Sequence, residues 1–185
     1  PVIFAGNHPN ALLDGFVVTS MCGRRPVHFM GNAKLWRYRL MALLLDAFGV
    51  VPVYPREEHG DAANNDAAFA RLFEVLEAGN SMGIFPEGTS HAGSHLTRLK
   101  TGTARIALAV GARRRVCVTI VPCGLTYMHR HRFRSQALLH FSEPITIDDE
   151  WLTEYAAAEG DTVRRLTARI ADALEKVTLN APDWE

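Results

Sequence analysis

The chain is poor in cysteine. Cys22, Cys117 and Cys123 are an odd set without the paired spacing of a structural zinc site, which excludes a disulfide framework and fits a reduced cytosolic compartment. No apolar run approaches the ~20 residues of a membrane span; the closest, Leu40 to Val53, is broken by Asp46 and Pro52. No secretory leader is visible, and there is no repeat or low-complexity tract. Formal net charge is zero, which excludes nucleic acid as the main partner. Acid is missing from one long segment. Between Glu87 and Glu143 there is no Asp or Glu, while Arg98, Lys100, Arg105, Arg113, Arg114, Arg115, Arg130, Arg132 and Arg134 fall there. Such a one-sign stretch makes a positive field that attracts phosphates or an anionic membrane face; the competing reading is a set of solvated, solubilising arginines.

What remains is an ordinary globular composition on 185 residues, enough for one domain with one large core. The chain opens on Pro1 inside a strand-like run and ends at Glu185 shortly after Pro182. Residues 1–185 are therefore expected to be a domain excised from a longer chain, with anchoring segments elsewhere.

Strand and helix patterns alternate. Val2 to Ala5 reads as a buried strand, followed by a helix over 10–21 and a strand over 27–30. The spacing of Leu35, Tyr38, Met41, Leu44, Leu45 and Phe48 predicts a helix over 34–48, stopped by Gly49, then a strand over 50–54. Asp61 is the expected cap of the next helix, with Phe69, Leu72, Phe73 and Leu76 as its stripe and Gly79 as its stop. Strands are predicted over 81–85, 116–121, 137–141 and 145–147. Helices are predicted over 101–110 and in a last run capped by Asp161, with Val163, Leu166, Ile170, Leu174 and Val177 on one face. This alternation predicts a single α/β domain, a mostly parallel or mixed sheet flanked by helices.

Two motifs carry chemistry. The first is Asn7-His8-Pro9-Asn10-Ala11-Leu12-Leu13-Asp14, just past the first strand. Proline keeps His8 out of the helical region, and Asn10 is a good N-cap, so a turn can fold Asp14 back onto the imidazole. A carboxylate on one ring nitrogen fixes the tautomer and leaves the other nitrogen free to take a proton. Read without the second motif, His8 is better taken as a turn residue and Asp14 as a helix-dipole carboxylate. The second is Phe85-Pro86-Glu87-Gly88-Thr89-Ser90, after the strand over 81–85, where a small-residue turn offers backbone N–H groups to an oxyanion. Both lie at carboxyl ends of strands, where α/β sheets form their sites.

Together with Gly49 to Arg56 and Ile120-Val121-Pro122, these motifs resemble, in order and over most of the chain, those of the glycerolipid acyltransferases, the glycerol-3-phosphate and 1-acylglycerol-3-phosphate O-acyltransferase superfamily. The resemblance implies that His8 deprotonates an acceptor hydroxyl and Asp14 orients it. It implies that Lys34 and Arg56 hold a glycerol phosphate, that Glu87, Gly88 and Thr89 form the acceptor site, and that Pro122 shapes the acyl-donor side. It implies no cofactor and no metal. The co-substrate would be acyl-CoA or an acyl carrier protein, the acceptor a phosphorylated glycerol or lysophospholipid, and the place the cytoplasmic face of a membrane. Five residues separate His8 from Asp14, where the commonest form of the family has four; this spacing is similar to that of a branch acting on glycerol 3-phosphate or dihydroxyacetone phosphate.

Other readings fit less well. Gly79-Asn80-Ser81-Met82-Gly83 matches a nucleophile elbow, but that motif needs strand, turn, helix, and the order here is helix, turn, strand. His91 and His95 are four apart, yet Gly93 and Ser94 disfavour the helix that would let them chelate a metal, and His129 and His131 lie in a basic loop. A non-catalytic lipid-binding module, using residues 34–54 at an interface, leaves an oriented base unexplained.

Overall fold

The structure is a computed structural model that describes residues 1–23, 26–53, 66–91, 93, 95–132 and 134–180, with backbone only for 66–69. The expected cap Asp61 and the anion-binding candidate Arg56 lie outside the described residues. In chain order the elements are β1 (Val2–Gly6), α1 (Leu12–Met21), β2 (Val27–Asn32), a 3-10 turn (Ala33–Arg37), α2 (Arg39–Ala47), β3 (Val51–Val53), α3 (Asp66–Glu77), β4 (Ser81–Ile84), α4 (Gly102–Arg114), β5 (Val118–Tyr127), β6 (Ala137–Phe141), β7 (Ile145–Ile147), α5 (Asp149–Ala157) and α6 (Glu159–Glu175).

The strands form one sheet in the order β3-β2-β4-β1-β5-β6, with β7 also on β5. From β3 to β5 all pairs are parallel; β6 and β7 run antiparallel to β5. The expected α/β architecture is therefore present, and β1 lies at its centre. Its five residues are all buried, as expected of a strand covered on both faces. Alternation divides them: Ile3 and Ala5 join one core with Leu72, Leu76, Leu108, Leu166 and Ile170, while Val2 and Phe4 join a second with Val18, Phe29, Leu125 and Leu139. Each fully buried aliphatic side chain contributes about 1.5–3 kcal/mol, so the helices α3, α4 and α6 are held chiefly by the first core.

Three elements differ from the sequence expectation. The helix over 34–48 is interrupted at Tyr38, whose backbone is extended, and of its apolar stripe only Leu45 is buried; Tyr38, Leu44 and Phe48 are exposed. That stripe does not face the core. β5 runs six residues past Val121, because Pro122 does not end it. Proline's missing N–H falls where β5 changes antiparallel partner, from β7 at Val118–Ile120 to β6 at Cys123–Tyr127, so no ladder bond is lost there. Finally, α5 precedes the last helix as a separate element capped by the Asp148 side chain, and Asp161 sits in the first turn of α6 rather than at its cap.

Candidate functional site

Register sets the site. Ala5 on β1 pairs with Ile84 on β4 and with Pro122 on β5, so whatever follows these strands emerges along one edge. Past β1 comes Asn7-His8, past β4 comes Phe85 to Ser90, and the end of β5 brings Leu125 and Tyr127. The Asn7 side chain clamps this junction, donating to the Leu125 carbonyl at 3.0 Å and accepting from the Leu125 amide at 2.6 Å.

His8 and Asp14 meet as expected, with His8 Nδ1 2.8 Å from Asp14 Oδ2. The five-residue spacer is taken up in a turn. Ala11 has φ 47°, in the left-handed region, and the helix starts at Leu12, so Ala11 and not Asn10 is the N-cap. No side chain caps this helix; Asp14 Oδ2 instead also accepts the Asn10 amide at 2.8 Å, which holds the turn against the helix. Its other oxygen accepts the Tyr127 hydroxyl at 2.7 Å. Asp14 is fully buried, and all its partners are donors, so the site is built for a carboxylate. Burial first, and then the bond to Asp14, push the Tyr127 phenol above its usual range, so it stays protonated and donating. With Nδ1–H donated to Asp14, the other ring nitrogen of His8 carries the lone pair.

The ring itself is held from below. The His8 imidazole stacks on Phe85 at 4.1 Å between centroids and 4° between planes, and Phe85 stacks on Phe29 at 5.8 Å. Gly83 makes room for this column: a Cβ there would sit 2.0 Å from the Phe29 ring.

Glu87 proves to be an organiser. Its Oε1 accepts the His8 amide at 2.9 Å; its Oε2 accepts the Thr97 amide at 2.9 Å, the Thr97 hydroxyl at 2.7 Å and His91 Nε2. Gly93 donates its amide to His91 Nδ1 at 3.1 Å, so the His91 proton is on Nε2 and points at Glu87. Burial alone would raise the Glu87 carboxyl, but the donors of His91, Thr97 and the His8 amide outweigh it and hold it below the usual carboxylate range. The His91 amide in turn bonds the His8 carbonyl at 3.1 Å, and the Ala11 amide bonds Ser90 Oγ at 3.0 Å. The two motifs are thus sewn together.

Gly88 closes the turn onto the Phe85 carbonyl at 2.9 Å with φ 77°, a conformation that needs glycine, and a Cβ would meet the Lys100 side chain at 2.8 Å. Thr89 is exposed beside it. Lys34 is exposed on the 3-10 turn, which Asn32 caps through the Lys34 amide. Pro122 is buried in β5 opposite Ala5. Ser81, the serine of the elbow-like pattern, is buried at the start of β4. Among the described residues no three His, Cys, Asp or Glu converge as a metal site.

Two cavities meet at His8. One, of ≈ 420 Å³, is apolar and runs between α1, β2 and α2, lined by Phe16, Phe29, Met41, Leu45 and Phe85 among others. The other, of ≈ 480 Å³, carries more polar side chains and lies toward β5 and the residues after β4, lined by Asn7, Glu87, His91, Tyr127 and Arg130 among others. Neither is lined by Lys34, Gly88, Thr89 or Pro122. Tyr127, Thr97 and His91 are contributors that the motifs alone did not single out, and Phe85, though part of the second motif, carried no role there. The signal that could have found Tyr127 is the adjacency of β1 and β5, with β5 continuing past the end of β1 at the same edge.

Residues 1–126 match the model of a family described as Acyltransferase. Glycerol-3-phosphate O-acyltransferase 2 of Saccharomyces cerevisiae is 40% identical over 129 residues, which cover 69% of this chain and 17% of the relative. The 1-acyl-sn-glycerol-3-phosphate acyltransferase of Borreliella burgdorferi is 33% identical over 112 residues, 60% of this chain and 42% of that protein. The crystal structure of PlsC, the 1-acyl-sn-glycerophosphate (LPA) acyltransferase from Thermotoga maritima, is similar with TM-score 0.52 at 18% identity, covering 91% of this chain and 66% of that one; this likeness is one of fold. The chain spans less than a fifth of the yeast relative.

Proposed function

Since the chain belongs to the acyltransferase family, we propose that it moves a fatty acyl group from a thioester, acyl-CoA or acyl carrier protein, to a hydroxyl of glycerol 3-phosphate or its 1-acyl form, with His8 as general base. One observation carries this reading: half-buried His8 held at 2.8 Å by buried Asp14, standing where an apolar cavity and a more polar one meet. In the proposed step the free ring nitrogen of His8 takes the acceptor's hydroxyl proton as its oxygen attacks the thioester carbonyl. Asp14 steadies the imidazolium. Collapse of the tetrahedral adduct forms the ester C–O bond and breaks the C–S bond, and the departing thiolate takes the proton back from His8. A base so placed contributes about 10²–10⁴-fold.

The apolar groove suits the acyl chain. Its lining includes Leu12, Phe16, Leu44 and Phe48, which are also among the exposed large hydrophobics, so the groove opens on an apolar surface of α1 and α2. Leu40 and Leu43 of α2 are exposed as well, and the exposed Lys34, Arg37 and Arg39 lie just before them in the chain. No helix among the described residues is long and apolar enough to cross a membrane. In this reading the surface rests on an anionic bilayer and draws its apolar substrate from there. By the resemblance, Lys34 and Arg56 remain the proposed holders of the acceptor phosphate, Glu87, Gly88 and Thr89 the proposed acceptor site, and Pro122 the proposed donor-side residue.

The test is a matrix of saturated acyl-CoA donors against glycerol 3-phosphate and lysophosphatidate, with the acylated product read by chromatography. Product that requires both thioester and a phosphorylated acceptor supports the proposal. Thioester hydrolysis that ignores the acceptor, or vesicle binding without any thioester consumption, contradicts it.

A further inference from the structure

The cavity toward β5 asks for a ligand of definite sign. Besides His8 and His91, it is lined by His95, His129, Arg130 and His131. The sole carboxylate in its lining is Glu87, and both oxygens of that group are already taken by donors from His8, His91 and Thr97. Arg130 is half-buried, and its one hydrogen bond among the described residues is from Nε to His131 Nε2 at 3.2 Å. No carboxylate pairs with it among those residues. A partly desolvated guanidinium without a counter-charge favours an anion with several acceptor oxygens. These histidines do not converge as a metal site.

The rim that carries these groups is preformed. The turn joining β5 to β6 is tied by Met128 N–H to the Gln136 carbonyl at 3.1 Å, His129 N–H to Ser135 Oγ at 3.0 Å, and Arg132 N–H to the His129 carbonyl at 2.9 Å. Ordering costs on binding are correspondingly small.

We propose that this cleft, formed by the β5–β6 turn and the residues after β4, binds a phosphate-bearing part of a substrate through Arg130 with help from His95, His129 and His131. The inference rests on the acyl-transfer reading only for which substrates bring a phosphate: the nucleotide end of an acyl-CoA donor, or the phosphate of a glycerol acceptor. It places an anion site on the side of His8 opposite the apolar groove.

Calorimetric titration of the whole chain with coenzyme A and, separately, with glycerol 3-phosphate tests this without catalysis. Arg130→Met keeps the aliphatic stem and removes the charge. Its dissociation constant for one or both probes should rise about 10- to 100-fold, the loss expected for a charge-assisted hydrogen-bonded contact. Loss confined to coenzyme A assigns the cleft to the donor's nucleotide phosphates; loss confined to glycerol 3-phosphate assigns it to the acceptor. The double variant His129→Asn, His131→Asn should weaken the same probe, with the thermal melt unchanged in both variants. Wild-type binding of neither probe, or binding of both that Arg130→Met leaves within about twofold, overturns the proposal. Arg130-dependent binding by a chain that transfers no acyl group upholds the cleft and removes the proposed reaction.

Discussion

Replacing Asp14 by asparagine separates charge from geometry at the centre of the site. The amide oxygen can keep the two donors now on Oδ2, the His8 ring N–H and the Asn10 amide, both at 2.8 Å. The amide nitrogen then faces the Tyr127 hydroxyl, which can rotate to accept instead of donate. Fold and ring orientation therefore survive, and the melting temperature should move by no more than about 5 °C, equivalent to roughly 1–2 kcal/mol in a chain of this size. What disappears is the negative charge beside the imidazolium formed as His8 takes its proton. At a charge separation of about 4 Å and an effective dielectric of about 20 that charge is worth about 4 kcal/mol. The expected loss in kcat is roughly 10³-fold, with KM for the thioester little changed. Steady-state product formation by purified wild type and Asp14→Asn, alongside thermal melts, measures both quantities. A folded variant with kcat within tenfold of wild type would refute the reasoning, because the carboxylate would then be a helix-terminal charge and no more.

Two further substitutions probe the supports of the ring. Gly83→Ala puts a methyl group 2.0 Å from the Phe29 ring, so the Phe29–Phe85–His8 column must shift; a stability loss of about 1–3 kcal/mol in denaturant titration is expected, with a fall in kcat of tenfold or more. Glu87→Gln puts an N–H among converging donors and should cost about 2–4 kcal/mol near neutral pH. Because the folded carboxyl is held below its usual value, Glu87 stabilises the fold above the unfolded value near 4.3, and that contribution is lost as pH falls through the folded one. Denaturation from pH 7 to pH 3 should therefore show the gap between wild type and Glu87→Gln closing as the solution is acidified; a gap constant with pH contradicts this account of Glu87.

The fold and both motifs could be read from the sequence because they rest on local signals. Strand runs bounded by turns, the helix-breaking Pro9 and the small residues after Glu87 each act within a few positions. The carboxyl-edge placement followed from strand order alone, since parallel strands deliver their ends to one side. What escaped was long-range. Tyr127 reaches Asp14 across 113 positions, and only the unexpected length of β5 past Pro122 brings it there. The resemblance puts Glu87 in the acceptor site, and no spacing rule announces that the His8 amide takes one of its oxygens while Thr97 and His91 take the other. For the predicted helix over 34–48, periodicity shows that one face is apolar, not what it faces. Here much of it faces a groove and solvent. Arg56, drawn from the resemblance, lies outside the described residues.

The central claim is that His8 is the base of an acyl transfer, and one comparison tests it most directly. Purified wild type and His8→Ala are given the same acyl-CoA and glycerol 3-phosphate or lysophosphatidate, and acylated product is measured over time together with a thermal melt. The account predicts a folded variant, since the His8 backbone bonds to Glu87 and His91 remain, with product formation reduced at least 10²-fold. A His8→Ala protein that keeps most of the wild-type rate would contradict it.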